Sequence, residues 1–204
     1  MKKLIIMAAT AAVATFSAFT LGVSPGYKVG DKARDFKLKS VENKQVSLAD
    51  FDKAKGYIVV FTCNHCPFAV KYEDRINALN KKYADQGYPV VAINPNDSTQ
   101  HPEDSFENMK KRAQEKSFTF PYLLDETQDI AKTYGALKTP HVYVLKKEKG
   151  DLIVSYIGAI DDNTDNAAAV KEKYVEQAVD ALLAGKAVKV TSTKAIGCGI
   201  KWKQ

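Results

Sequence analysis

Side chains suited to holding metals or moving electrons are scarce in this chain. Its 204 residues include only three cysteines, three histidines, three methionines and one tryptophan. Beyond the pair at positions 63 and 66 there is no second C-x-x-C and no H-x₃₋₅-H, so a four-ligand zinc site lacks two ligands and no metal is expected. No basic run is interleaved with aromatics, although the formal net charge is +6. That argues against nucleic acid as a partner and for a solvated surface. No apolar run after Val23 approaches the length of a membrane span. No internal repeat and no low-complexity segment is present. With 45% hydrophobic and 26% charged residues, the chain has the composition of a soluble globular protein, long enough for one domain with a full core.

What is present begins with an export signature. Lys2-Lys3 forms a positive start, and Leu4 to Ala14 is an apolar, small-residue core of the length such signals have. Cleavage is compatible with Ala14, Ala18 or Ser24. Retention of Leu4 to Val23 as an anchor is the alternative. Removal is favoured because the second half is rich in Thr, Ser and Gly rather than Leu and Ile. The segment holds no cysteine, which excludes lipid attachment through an amino-terminal one. Residues 1–24 are therefore read as a signal peptide, 25–185 as the folded domain and 186–204 as a C-terminal tail carrying Cys198. The expected location is periplasmic or otherwise extracytoplasmic, where disulfides persist. No membrane span is expected once the signal is gone.

The domain reads as alternating strands and helices. Asp35 to Lys39 alternates polar and apolar, and Gln45 to Leu48 is its hairpin partner. Tyr57 to Phe61 is a continuous apolar run, as in a strand buried on both faces. Phe68, Tyr72, Ile76, Leu79 and Tyr83 form one stripe of an amphipathic helix stopped by Gly87. Tyr88 to Ile93 is a second buried strand. Asp104, with Glu107 three residues on, suits the start of a helix with Phe106, Met109 and Ala113 on its apolar face. Asp125 with Gln128 starts a shorter helix closed by Gly135. The strand His141 to Leu145 turns at Gly150-Asp151 into Leu152 to Ile157. Val170, Tyr174, Ala178 and Leu182 mark a last helix, stopped by Gly185. The order calls for a mixed sheet sandwiched by helices.

Cys63-Asn64-His65-Cys66 falls between the buried strand and the amphipathic helix. A two-residue spacer lets both sulfurs meet at the first helical turn, within bonding reach. Free N–H groups and the helix dipole favour a thiolate there, and Pro67 is tolerated because its missing N–H has no helical acceptor anyway. A thiolate is the species that attacks disulfides. His65 is the tuning residue, as imidazolium or hydrogen-bond donor, and Cys63 is expected to titrate below the ordinary thiol value. A purely structural disulfide remains the alternative for an exported protein. The odd thiol, Cys198, lies in a Gly-flanked segment expected to be mobile or locally docked. It resolves an oxidised Cys63, pairs with another chain, or is inert. His101 is expected to be solvated. His141 is placed either near the Cys pair or on the strand surface.

At these residues the chain resembles the thioredoxin superfamily. More narrowly it is similar to the redoxin group, which includes the alkyl hydroperoxide reductase relatives and the TlpA/ResA-type thiol–disulfide oxidoreductases. The likeness rests on Tyr57–Phe61, the C-x-x-C, the stretch from Asp125 through Tyr134-Gly135 to Thr139-Pro140, and Gly158. The segment Gly197-Cys198-Gly199-Ile200-Lys201-Trp202, with Asp161-Asp162-Asn163, resembles a peroxiredoxin-like subgroup. The resemblance implies a thioredoxin-like α/β fold with an N-terminal β-hairpin and a redoxin-type insertion at Asn94–Ser117. It implies that Pro140 is a cis-proline facing the Cys pair, with the Thr139 backbone exposed to bind a substrate peptide. There are departures. Tyr57 stands where thioredoxins place a buried Asp, so proton handling falls to water or Glu73. Thr62 replaces the usual Trp. Matching Cys66-Pro67 to the end of the peroxiredoxin Pro-x-x-x-Thr-x-x-Cys puts Val59 and Cys63 at the Pro and Thr, which counts against a peroxidase.

The function expected from these residues is an extracytoplasmic thiol–disulfide oxidoreductase using Cys63 and Cys66, needing no cofactor. Its partners would be protein or small-molecule disulfides and thiols, plus a redox partner that resets the pair. The alternative is a thiol peroxidase acting on hydroperoxides. A metallochaperone using Cys63, Cys66 and a His is a third possibility.

Overall fold

The computed structural model describes residues 26–204, so the expected signal peptide lies outside the described residues. Ten strands and four α-helices follow one another. They are β1 (Lys32–Ala33), β2 (Lys37–Ser40), β3 (Gln45–Ser47), β4 (Gly56–Phe61), α1 (Pro67–Tyr83), β5 (Val90–Asn94), α2 (Phe106–Glu115), β6 (Tyr122–Leu124), α3 (Asp129–Tyr134), β7 (Lys138–Thr139), β8 (His141–Glu148), β9 (Asp151–Gly158), α4 (Tyr174–Leu183) and β10 (Cys198–Gly199). Eight strands form one mixed sheet in the order β1-β9-β8-β4-β5-β6-β2-β3. β4 lies at its centre, parallel to β5 and antiparallel to β8. The order of elements called for this mixed sheet flanked by helices, and its form is the thioredoxin-like α/β fold that the resemblance implied.

β4 is buried along its whole length because its alternate side chains serve two cores. Ile58 and Val60 face α1 and α4, packing with Tyr72, Ile76, Leu79, Tyr83, Val175 and Val179. Tyr57, Val59 and Phe61 face the other way, onto α3 through Ile130, Ala131 and Tyr134. Each fully buried side chain of this size contributes about 1.5–3 kcal/mol, so the two layers together fix where β4 ends. α1 forms because its apolar stripe recurs at helical spacing, with Pro67 in its first turn and Lys81 and Lys82 in its last. It runs into a 3₁₀ turn at Ala84–Gln86, and Gly87 at φ 96° ends the helical path.

Several local expectations shift. The cap of α2 is Ser105, whose hydroxyl accepts from Asn108 N. Asp104 does not cap the helix; it is drawn inward and has no solvent exposure. Gln128, in the left-handed region at φ 62°, precedes α3, and Asp125 Oδ2 accepts from Ala131 N at 2.8 Å. Val170 lies before α4 and outside it. The segment after α4 is docked along its course. Ile157 N donates to Thr191 O, and Thr193 N donates to Ile157 O. Thr193 Oγ1 lies 2.6 Å from Tyr156 Oη and 2.9 Å from Ala159 N. Further on, β10 pairs antiparallel with β7.

Candidate active site

The end of β4 and the start of α1 bring Cys63 to Cys66 under β7. Cys66 is the residue before the first turn of α1, fully buried, and Cys63 is 3% exposed. The Thr139–Pro140 peptide bond is cis, as the resemblance implied. Thr139 Oγ1 lies 3.2 Å from Cys63 Sγ, and its carbonyl oxygen lies 3.2 Å from Cys66 Sγ. Backbone N–H groups of His65 and Cys66 also donate toward the Cys63 sulfur.

The disulfide is not between Cys63 and Cys66. It joins Cys66 to Cys198, with the Cα atoms 6.0 Å apart, and leaves Cys63 a buried free thiol. The cause is the pairing of β10 with β7, which sets Cys198 opposite Thr139. Cys63, Cys66 and Cys198 thus pack in one cluster with Ala69. Nor does Cys63 titrate low in this state. Burial pushes its thiol up to about 11, and the Asp104 charge adds to the rise; the bonds from Thr139, Cys66 and His65 pull the other way without prevailing.

Asp104 organises the polar side of the site. One of its oxygens accepts from Asn64 N at 2.7 Å, and the other accepts from Asn96 Nδ2 at 2.7 Å. His65 Nδ1 lies 2.7 Å from that second oxygen, though without hydrogen-bond alignment. His65 therefore reaches the carboxylate that acts on Cys63, and its ring stacks on His101 at 5.8 Å. Tyr122 Oη donates to Asn64 Oδ1 at 2.9 Å, which fixes the residue after Cys63. Cys63, His65 and Asp104 bring one donor atom each within 4.8 Å, the one set among the described residues able to hold a metal ion. Both Asp104 oxygens already accept hydrogen bonds from the chain.

The other expected participants are committed elsewhere. Tyr57 donates to Leu48 O, on the face away from α1. Glu73 is held by Arg112 at 2.6 and 2.9 Å, with Lys116 at 3.7 Å, so it is no free base. His141 is buried, accepts from Leu137 N at 3.3 Å, and burial lowers its pKa to about 4. Asp161 accepts from Tyr72 Oη at 2.8 Å and Arg75 Nη1 at 2.6 Å, and so ties the Asp161-Asp162-Asn163 turn to α1. Asn64, Asn96 and Asp104 carry no strong site signal in the sequence. Their one sequence signal was polar residues in the stretches after strands, which turns also display.

Fold and sulfur cluster together define a thioredoxin-like protein of the redoxin type. The family model for AhpC/TSA matches residues 29–160, and the chain belongs to that family. It is 27% identical over 121 residues to the thiol-disulfide oxidoreductase ResA of Bacillus thuringiensis subsp. konkukian, covering 59% of this chain and 65% of that protein's length. The crystal structure of an uncharacterized conserved protein from Geobacillus kaustophilus superposes with a TM-score of 0.80 at 41% identity, over 88% of this chain and 95% of that one. A hypothetical protein from Sinorhizobium meliloti gives a TM-score of 0.80 at 35% identity, over 88% and 97% of the two chains. Among the described residues no helix is long and apolar enough to cross a membrane.

Proposed function

We propose that the protein is an extracytoplasmic thiol–disulfide oxidoreductase whose exchanging sulfurs are Cys63 and Cys66. The observation that carries this reading is the cluster of three sulfurs at the start of α1, against Thr139. The likeness to ResA proteins supports the reaction class. The bond to Cys198 supports Cys66, rather than Cys63, as the sulfur that meets the partner. A Cys66 thiolate attacks a substrate disulfide and forms a mixed disulfide, and one substrate thiolate leaves. Cys63 then loses its proton and attacks Cys66 Sγ. The Cys63–Cys66 bond forms, and the second substrate sulfur leaves as a thiolate that takes up a proton. Thr139 Oγ1 and the two N–H groups are placed to steady charge on Cys63 during that step. An external thiol resets the pair. The peroxiredoxin-like subgroup suggested by Gly197 to Trp202 belongs to this same reading.

Insulin reduction in dithiothreitol tests it. Activity should vanish in Cys66→Ser, and the double variant Cys63→Ser/Cys198→Ser, which leaves Cys66 no neighbouring thiol, should accumulate a mixed disulfide at Cys66 visible by mass spectrometry. Trapping at Cys63 in Cys66→Ser would establish the opposite order of attack. Full activity in both variants would reject the reading.

The Cys66–Cys198 bond also favours a second reading, a thiol peroxidase. There peroxide oxidises Cys66 to a sulfenic acid, releasing an alcohol or water. Cys198 condenses with it, giving the disulfide and water. Thiol-dependent peroxide consumption that is lost in Cys66→Ser would support it.

A further inference from the structure

The segment that carries Cys198 does more than place a sulfur. Cys198 and Gly199 form a two-residue antiparallel ladder with Thr139 and Lys138. Ile200 N donates to Leu137 O at 3.2 Å, and the Ile200 side chain is buried in the core that faces α3. Lys201 N donates to Asn96 Oδ1 at 2.9 Å, while Lys201 O accepts from Asp97 N and from Gln128 Nε2, each at 2.8 Å. Lys203 N donates to Gln128 Oε1 at 2.8 Å. Apart from the Cys198 and Ile200 side chains, these contacts are to the segment's main chain. That is how a groove reads an added strand: main-chain bonds hold it, and a few side-chain positions select it.

Asn96 and Gln128 are buried side chains, and each aims its carbonyl oxygen at this segment. Buried polar atoms of this kind require a partner. Selection is strictest at Gly197. A Cβ there would overlap the Thr139 carbonyl and come within 3.0 Å of Pro140 N, so the residue before the cysteine must be glycine.

We propose that the groove lined by Lys138–Thr139, Asn96 and Gln128 docks an extended polypeptide whose cysteine follows a glycine, and that residues 197–203 occupy it as a tethered stand-in for that substrate. This rests on the thiol–disulfide reading above and names its substrate class: protein disulfides presented on an exposed strand. The segment leaves by internal exchange. Cys63 gives up its proton and bonds to Cys66 Sγ; the Cys66–Cys198 bond breaks; Cys198 departs as a thiolate and is protonated. No external oxidant or reductant is consumed. Asn96, which binds Lys201, also donates to Asp104, so one side chain bridges the groove and the carboxylate near Cys63.

The probe is the peptide Ala-Ile-Gly-Cys-Gly-Ile-Lys-Trp, the sequence of residues 195–202, as its mixed disulfide with glutathione. A twin carries Val before the cysteine. Reduced full-length Gly197→Val/Cys198→Ser, in which the chain's own segment no longer fits the groove, should react with the glycine peptide about tenfold faster or more than with the valine twin. In a second variant, Gly197→Val, all sulfurs are kept. There the sole tryptophan, Trp202, should shift its fluorescence, and dithiothreitol should reduce Cys66–Cys198 several-fold faster than in the wild type. Equal peptide rates that still depend on Cys66 would overturn the groove and leave the redox function standing. No reaction above a Cys66→Ser control with either peptide or with oxidised glutathione would overturn the function and the groove together.

Discussion

Asp104 has no solvent exposure, yet its charge bears on a thiol and its two oxygens hold two loops. Asp104→Asn keeps a carbonyl oxygen for Asn64 N and removes the charge. The Cys63 thiol, pushed up to about 11 by burial first and by this charge second, should then titrate lower. Thiolate absorbance against pH, with Cys63→Ser as the blank, reads the change; an unmoved curve would assign the rise to burial alone. His141 gives a second residue-level test. Its folded pKa of about 4 lies below the ordinary 6.5, so the unfolded chain binds the proton more readily. Its contribution is present in full above about pH 6.5 and is lost as pH falls from there through 4, a change on the order of 3 kcal/mol. His141→Phe should flatten urea stability across that window. It should also lower stability at neutral pH by about 0.5–1.5 kcal/mol, because Leu137 N loses its acceptor.

Ile76 lies at the middle of the α1 stripe and is almost fully buried beneath the sheet. Ile76→Ala should cost about 2–5 kcal/mol in urea unfolding, and leave α1 in place because alanine favours helix. Ser105→Ala should cost about 0.5–2 kcal/mol, in keeping with its role as the cap of α2. Elements of this kind were legible in the sequence. β4 and β5 bury continuous apolar runs and α1 a stripe at helical spacing, and patterns of this kind are local information. The cap of α2 was misplaced because Asp104 and Ser105 are both good capping residues, and tertiary contacts with Asn64 and Asn96 claimed the first. The cysteine motif marked where the site begins. Its bonding partner was not legible, because Cys198 follows Cys66 by 132 positions and reaches it through a short ladder with no hydrophobic period. The same reasoning accounts for Asn96 and Gln128: a polar residue that binds main chain far along the sequence looks, locally, like any turn residue.

The Cys66–Cys198 bond closes most of the folded chain into one loop. Chain entropy for a loop with a sequence separation of 132 corresponds to roughly 5 kcal/mol as an upper figure. Dithiothreitol should therefore lower the melting temperature of the wild type and leave that of Cys198→Ser almost unchanged, as calorimetry with and without reductant would show. Amide exchange should divide the molecule on reduction. Amides of Ile200, Lys201 and Lys203, held by Leu137, Asn96 and Gln128, should exchange faster, while those of β4 and β8 stay protected at the level of global unfolding.

Cys63, only 3% exposed, lies in contact with the other two sulfurs. A reagent in solution must wait for the protein to breathe before it meets this atom. At high reagent concentration its labelling should reach a plateau set by how often the chain uncovers it, so iodoacetamide becomes a stopwatch for that opening. Irreversible oxidation of the same sulfur is throttled by the same fluctuation.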